Sequence, residues 1–204
     1  VVVMWKTVKL EEIIIENSKS KFKVRDSLED GMYPFFTSGE KINRLNESIC
    51  EGENIFIATG GKANFKYFNG EASYSTDCYS IKTNEKAIVK YLYYFLIMNR
   101  KKINKKMFKG AALKHLQKKE FKNIDVFIPS IKEQQRIVAK LDAAFTEIDV
   151  AIKAVENCVE SLEQFFENFL DTELFCLKND FKVKRVKDFG KAKGGKRLPK
   201  GVNF

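Results

Sequence analysis

The chain of 204 residues carries one histidine and four cysteines, so its options for side-chain chemistry are few. His115 stands between Lys114 and Leu116 with no acid or nucleophile at triad spacing and no second ligand at metal spacing. Cys50, Cys78, Cys158 and Cys176 lie far apart and form no CxxC pair. Neither a zinc site nor a disulfide framework is expected, and a reducing, cytoplasmic compartment fits best. Gly190-Lys191-Ala192-Lys193-Gly194-Gly195-Lys196 has the spacing of a phosphate-binding loop. Arg197, however, stands where a Ser or Thr would bind the metal, and Pro199 blocks the helix that must follow. Asp77 or Glu71 near Lys66 would be the carboxylates of a metal-dependent nuclease, but their spacing makes no convincing centre. No catalytic group, metal or cofactor is assigned.

Recognition chemistry is better supplied than catalysis. Thr59, Lys62, Asn64 and Lys66 surround the pair Gly60-Gly61. Glycines let a backbone approach phosphate, Asn matches the edge of adenine, and Lys matches that of guanine. Thr37 with Ser38, and Ser75 with Thr76 and Asp77, form a second polar group. Either group can equally be an ordinary turn. Arg100, Lys101, Lys102, Lys105, Lys106, Lys109 and Lys114 form a basic run suited to phosphate contacts, which give affinity without sequence information.

The charge distribution places these residues in context. The net charge is +10. Residues 1–132 hold 24 basic and 15 acidic residues, residues 133–177 hold 3 and 10, and residues 178–204 hold 10 and 2. A basic body and a basic tail thus flank one acidic element. A basic surface concentrates polyanions, of which nucleic acid is the commonest. With 44% apolar and 31% charged residues the chain can build a core. It contains no apolar run long enough to span a membrane.

The acidic element is a long helix in prospect. Ser130 and Glu133 match a capping box, with the Glu133 carboxylate expected to reach back to the Ser130 amide. Gly and Pro are then absent until Gly190. Val138, Leu141, Phe145, Ile148, Ile152, Val155, Val159, Leu162, Phe166 and Phe169 recur in steps of three and four, the heptad signature of a coiled coil. A helix from about Ile131 to Cys176 would be roughly 65–70 Å long at ~1.5 Å per residue. The other good helical stretch, about Glu85 to Lys102 with Asn84 as N-cap, is too short to cover it. The stripe is expected to meet a second copy or a partner protein, the alternative being a helix folded back over its own domain.

After the helix the sequence echoes its start. Trp5–Ile13 aligns with Phe181–Phe189 at a constant offset of 176, with aromatic, Lys, aliphatic and acidic positions conserved in type. The remaining body reads as α/β with irregular strands: Asn54–Ala58, Phe65–Phe68, a hairpin turn at Asn69-Gly70, a returning strand at Ala72–Ile81, and Ile124–Ile128. Residues 1–130 form the domain, residues 131–177 the helix, and residues 178–204 the start of a second repeat.

In this arrangement the chain resembles the specificity subunit of Type I restriction–modification enzymes. The resemblance rests on Trp5–Ile13, on Tyr33–Ser38 with Ile55–Gly61 and Tyr67–Gly70, and on the tail Val186–Gly190 to Gly194–Pro199. Its most specific part is the junction Asn123–Ser130 followed by Glu133-Gln134-Gln135-Arg136-Ile137. The family carries two target-recognition domains and two long antiparallel helices, whereas this chain has one of each and a stump. The resemblance implies a non-catalytic reader of half of a bipartite double-stranded DNA target. Two copies would rebuild the subunit by antiparallel pairing of their helices. The implied partners are an adenine-methylating modification subunit and, through it, an ATP-driven restriction subunit. The alternative from the residues alone is a coiled-coil adaptor or a nonspecific nucleic-acid binder.

Overall fold

A computed structural model describes residues 5–178, 184–185 and 188–190. The fold is mixed α/β, a sheet-rich domain followed by one long helix, as the sequence leads one to expect. The chain divides into two compact units, Val1–Phe145 and Thr146–Phe204. The first unit therefore takes in the opening turns of the long helix.

The organising element of the first unit is β5 (Glu53–Ala58), flanked by β6 (Phe65–Asn69) and β8 (Cys78–Thr83), with β2 (Ile14–Glu16) beyond β8; all three pairings are antiparallel. Successive side chains of a strand point to opposite faces. Both faces of β5 are covered, because Asn54, Ile55, Phe56, Ile57 and Ala58 are all at most 2% exposed. Ile55 and Ile57 enter the main core with Leu10, Ile13, Ile81, Leu92, Leu96 and Phe121. Phe56 enters a second core with Phe36, Tyr74 and Cys78, where the Phe36 and Phe56 rings stack at 4.0 Å. That second core joins the large sheet to a small one, in which β3 (Tyr33–Phe36) lies between β4 (Asn43–Leu45) and β7 (Ser73–Tyr74).

Two further pairs complete the domain. β1 (Lys6–Lys9) runs antiparallel to β11 (Asp125–Ile128), closing the two ends of the domain on each other. β9 (Phe108–Lys109) pairs with β10 (His115–Leu116). The helices are α1 (Val89–Met98), α2 (Arg100–Met107), α3 (Lys118–Lys122) and α4 (Ile131–Lys178).

Several local expectations are corrected. The helix expected over Glu85–Lys102 starts at Val89 and breaks at Asn99 into α1 and α2. Asn84 does not cap it. Its oxygen accepts from the Lys86 amide (3.1 Å) and its nitrogen donates to the Glu12 carbonyl (2.9 Å), which holds a turn in front of the helix. The Asn99 carboxamide donates to the Phe95 carbonyl (2.8 Å) and finishes α1. Asn69-Gly70 does not close a hairpin with a returning strand. Ala72–Ile81 is two strands, of which β7 pairs in parallel with β3 and β8 lies on the far side of β5. The capping box is half formed. The Ser130 hydroxyl accepts from the Glu133 amide (3.4 Å), but the Glu133 carboxylate turns to Arg136 (2.7 and 2.8 Å).

The echoed tail lies largely outside the described residues. Its described part repeats one local device. The Lys9 amide donates to the Glu12 carboxylate (2.8 Å), and at an offset of 176 the Arg185 amide donates to the Asp188 carboxylate (2.9 Å). Lys23 and Asp26 use the same turn (2.7 Å), so the device is local and recurrent.

Candidate nucleic-acid interface

The loop between β5 and β6, residues 59–64, is clamped by hydrogen bonds from several elements. Ser38, which follows β3, accepts from the Thr59 amide (3.2 Å) and donates to the Asp77 carbonyl. Thr59 donates to that carbonyl through both its amide (3.0 Å) and its hydroxyl (2.7 Å). From the other side, the Gly61 amide donates to the Lys114 carbonyl (2.8 Å) and the Leu116 amide to the Thr59 carbonyl (2.9 Å). From α2, the Asn104 side chain accepts from the Ala63 amide (2.8 Å) and the Arg100 Nε donates to the Ala63 carbonyl (2.8 Å). Such a loop keeps its shape while its tip faces solvent.

Two glycines make this possible. Gly61 has φ +81, a conformation that other residues adopt at a cost, and nothing lies within 4 Å of where its Cβ would be. Gly110 has φ +146, and a Cβ there would lie 2.2 Å from the Leu113 carbonyl oxygen. It forms the tight turn that returns Lys114 and His115 to the loop.

A groove of about 490 Å³ results, lined by Ser38, Gly39, Glu40, Thr59, Gly60, Gly61, Lys62, Asn64, Asp77, Arg100, Leu113 and His115. Of the ten residues expected to read bases, Ser38, Thr59, Gly60, Gly61, Lys62 and Asn64 come together here. The other four do not line it. Thr37 is buried and accepts from the Gly39 amide (3.2 Å). Ser75 is fully buried and bonded to the Asp77 carboxylate and the Phe36 carbonyl. Thr76 is exposed elsewhere, its amide on the Phe22 carbonyl (2.7 Å). The Lys66 ammonium holds the 37–41 loop through the carbonyls of Gly39, Thr37 and Lys41. Burial pulls its pKa down, against the opposing pull of Asp77 and Glu40.

The basic run divides as well. Lys101, Lys102, Lys105 and Lys106 share the exposed face of α2, opposite buried Ile103. Arg100 forms part of the groove wall, Lys114 is exposed beside it, and Lys109 is ion-paired with Glu120. Sequence reasoning missed Glu40 and His115, which line the groove, and Asn104, which holds the loop through Ala63. His115 is brought in by the β9–β10 pair and the turn at Gly110, which no local pattern announces.

Neither Cys50 nor Cys78 is set up as a nucleophile. Burial, foremost among the causes, pushes Cys78 up to about 12 and Cys50 up to about 11, so both are protonated at neutral pH. Among the described residues no cluster of His, Cys, Asp or Glu is placed to hold a metal ion, and no helix is long and apolar enough to cross a membrane.

The long helix presents a second kind of surface. Within the first unit Leu141 and Phe145 join Trp5, Tyr91, Tyr94, Phe95 and Met98 around an apolar groove of about 410 Å³, with Phe145 stacked on Tyr94 at 5.5 Å. Val138 is half-buried. In the second unit the stripe continues with Ile148, Ile152, Val155, Val159, Leu162, Phe166 and Phe169, each 49–63% exposed.

A sheet-rich domain ending in a long helix through an Ile-Pro-Ser junction matches one family, described as the Type I restriction modification DNA specificity domain, over residues 3–157. The chain belongs to that family. It is 30% identical over 163 residues to the Type I restriction enzyme EcoDI specificity subunit of Escherichia coli, covering 79% of this chain and 36% of the relative. It is 23% identical over 216 residues to the MjaVIII specificity subunit of Methanocaldococcus jannaschii, covering 94% and 50%. Among solved structures, the S subunit of a Type I restriction–modification system from M. genitalium superposes with a TM-score of 0.65 at 14% identity, over 87% of this chain and 47% of that one. The HsdS subunit from Thermoanaerobacter tengcongensis superposes with a TM-score of 0.55 at 16% identity, over 74% and 39%. The chain spans half or less of the length of each of these proteins.

Proposed function

We propose that this chain is a non-catalytic DNA-reading module that recognises half of a bipartite target. The observation that carries the reading is the clamped 59–64 loop, which gathers six polar or glycine residues in one groove walled by Arg100, the first residue of the lysine-bearing α2. Base-edge contacts specify and phosphate contacts position, and the two groups of residues supply one of each.

The helix is the second half of the proposal. Seven large apolar residues at heptad spacing, all about half exposed or more, form a seam in need of a partner. A second copy, paired antiparallel, supplies one with the same pattern. Two identical readers related by a two-fold axis demand a palindromic site with a fixed spacer. Membership of the family supports a further partner, the modification subunit and through it the restriction subunit. Methylation and cleavage belong to those partners in this reading.

Competition settles the reading against a nonspecific binder. A labelled duplex carrying the target is challenged with random duplex at fixed salt, with the modification subunit present. The proposal expects the target to hold out against a large excess of random duplex. Equal competition by both would leave a nonspecific basic protein. Incubation of the chain alone with DNA and magnesium is expected to leave the DNA intact.

A further inference from the structure

Glu40 is the residue in the groove that a simple phosphate-binding surface does not explain. It is exposed, and among the described residues its carboxylate has no ion pair and no side-chain hydrogen bond. Lys66 feels its charge, but the Lys66 ammonium is committed to the backbone carbonyls of Thr37, Gly39 and Lys41. The other carboxylate of the groove, Asp77, is held from behind by the Ser75 hydroxyl. Glu40 therefore presents a carboxylate with no direct ion-pair partner among the described residues, on a surface otherwise edged by Lys62, Arg100 and Lys114. Against a phosphate backbone such a charge repels. Its favourable use at a duplex is to accept a hydrogen bond from a base amino group.

Asn64 offers an acceptor in the lining of the same groove. Its Nδ2 donates to the Gly39 carbonyl (3.1 Å), and Gly39 is the residue next to Glu40. A carbonyl can accept only from the amino side of a carboxamide, so this bond fixes the orientation of the Asn64 side chain. One of the two Nδ2 hydrogens is engaged in this bond. Among the described residues Oδ1 accepts no hydrogen bond, so Asn64 keeps an open acceptor in the lining of the groove.

We infer that Glu40 and Asn64 form an acceptor pair that reads the exocyclic amino group of cytosine or adenine in the major groove. Guanine and thymine present only acceptors there, and in place of a donor they would set an acceptor against the carboxylate. The pair thus combines attraction to the right base with repulsion of the wrong one. The inference rests on the DNA-reading function proposed above and names the base chemistry of that site.

The test is selection of a randomised duplex pool on the chain assembled with its modification subunit, for wild type, Glu40→Ala and Glu40→Gln. Anisotropy against the selected duplex and against random duplex accompanies it. Among the described residues Glu40 makes no side-chain hydrogen bond, and unchanged thermal unfolding of both variants confirms that they fold. The wild type is expected to enrich a motif with cytosine or adenine fixed at one position. Glu40→Ala should relax that position, losing about five- to hundredfold in discrimination, while its affinity for random duplex rises. Glu40→Gln should move the position towards adenine, because a carboxamide adds a donor beside the acceptor. A wild-type motif that survives Glu40→Ala unchanged overturns the inference alone. So does a change by the same factor for selected and random duplex. A wild type that enriches no motif overturns the DNA-reading function as well.

Discussion

The Gln134 side chain on α4 accepts the backbone amide of Ile88, the residue in front of α1, at 2.8 Å. Its nitrogen donates to the carbonyls of Pro129 (2.9 Å) and Lys86 (3.1 Å), and the side chain is wholly buried. One glutamine therefore ties the start of the long helix to the start of the helix that packs on β5 and β6. Gln134→Ala leaves these groups buried without partners. It is expected to lower the unfolding free energy of the domain by about 2–3 kcal/mol, read from urea unfolding. A loss below a few tenths would mean that water replaces the side chain.

Asp142 makes a second tie between the same two helices. Lys90 donates to its carboxylate at 2.7 Å, and the Tyr94 hydroxyl donates as well. Burial disfavours ionisation of Asp142, but the bonds from Lys90 and Tyr94 outweigh it and hold the carboxyl below its ordinary value of 3.8. A carboxyl depressed in the folded state contributes stability above its unfolded pKa and loses it as pH falls through the folded value. The stability gap between wild type and Asp142→Asn should therefore be widest above about pH 5 and close as pH falls below about 4. Urea midpoints across that range measure it. A gap independent of pH would show that the ionised carboxylate contributes nothing.

The seam of α4 makes its own prediction. Ile148→Asp with Val155→Asp places charge on the apolar stripe of each copy, and an uncompensated charge in an apolar contact is strongly unfavourable. Sedimentation is expected to show monomers where the wild type shows dimers. A dimer that persists would move the self-contact away from this stripe.

For the basic face of α2, Lys106→Ala should weaken target and random duplex by the same factor and reduce the salt slope by about one. Binding measured at several salt concentrations decides it. A loss confined to the target would make Lys106 a reader of bases.

Much of this architecture was legible because its signals are local or periodic. The heptad stripe and the absence of Gly and Pro marked α4, and short apolar runs marked β5, β6 and β11. The grouping of Thr59, Gly60, Gly61, Lys62 and Asn64 was also legible, since all five lie on one loop, whereas Ser38, read as part of a second polar group, joins them only in the fold. The rest depends on distant partners. Asn84 looks like an N-cap, but the Glu12 carbonyl 72 residues away claims its side chain. Asn69-Gly70 looks like a hairpin turn, but β7 finds a better partner in β3. Ser75 and Thr37 look like exposed polar residues, yet they are buried and bonded internally, Ser75 to Asp77 and Phe36 and Thr37 to Gly39. Glu40 and His115 became groove residues only when the 37–41 loop and the turn at Gly110 closed on the Gly60-Gly61 loop.

The central claim, one reader per chain and two chains per target, is tested most directly by mapping methylated positions in DNA from cells that express this chain with its cognate modification subunit and no other specificity subunit. The account predicts a bipartite palindrome whose two half-sites are identical and separated by a fixed spacer. A clearly asymmetric motif, or methylation with no motif, would contradict it.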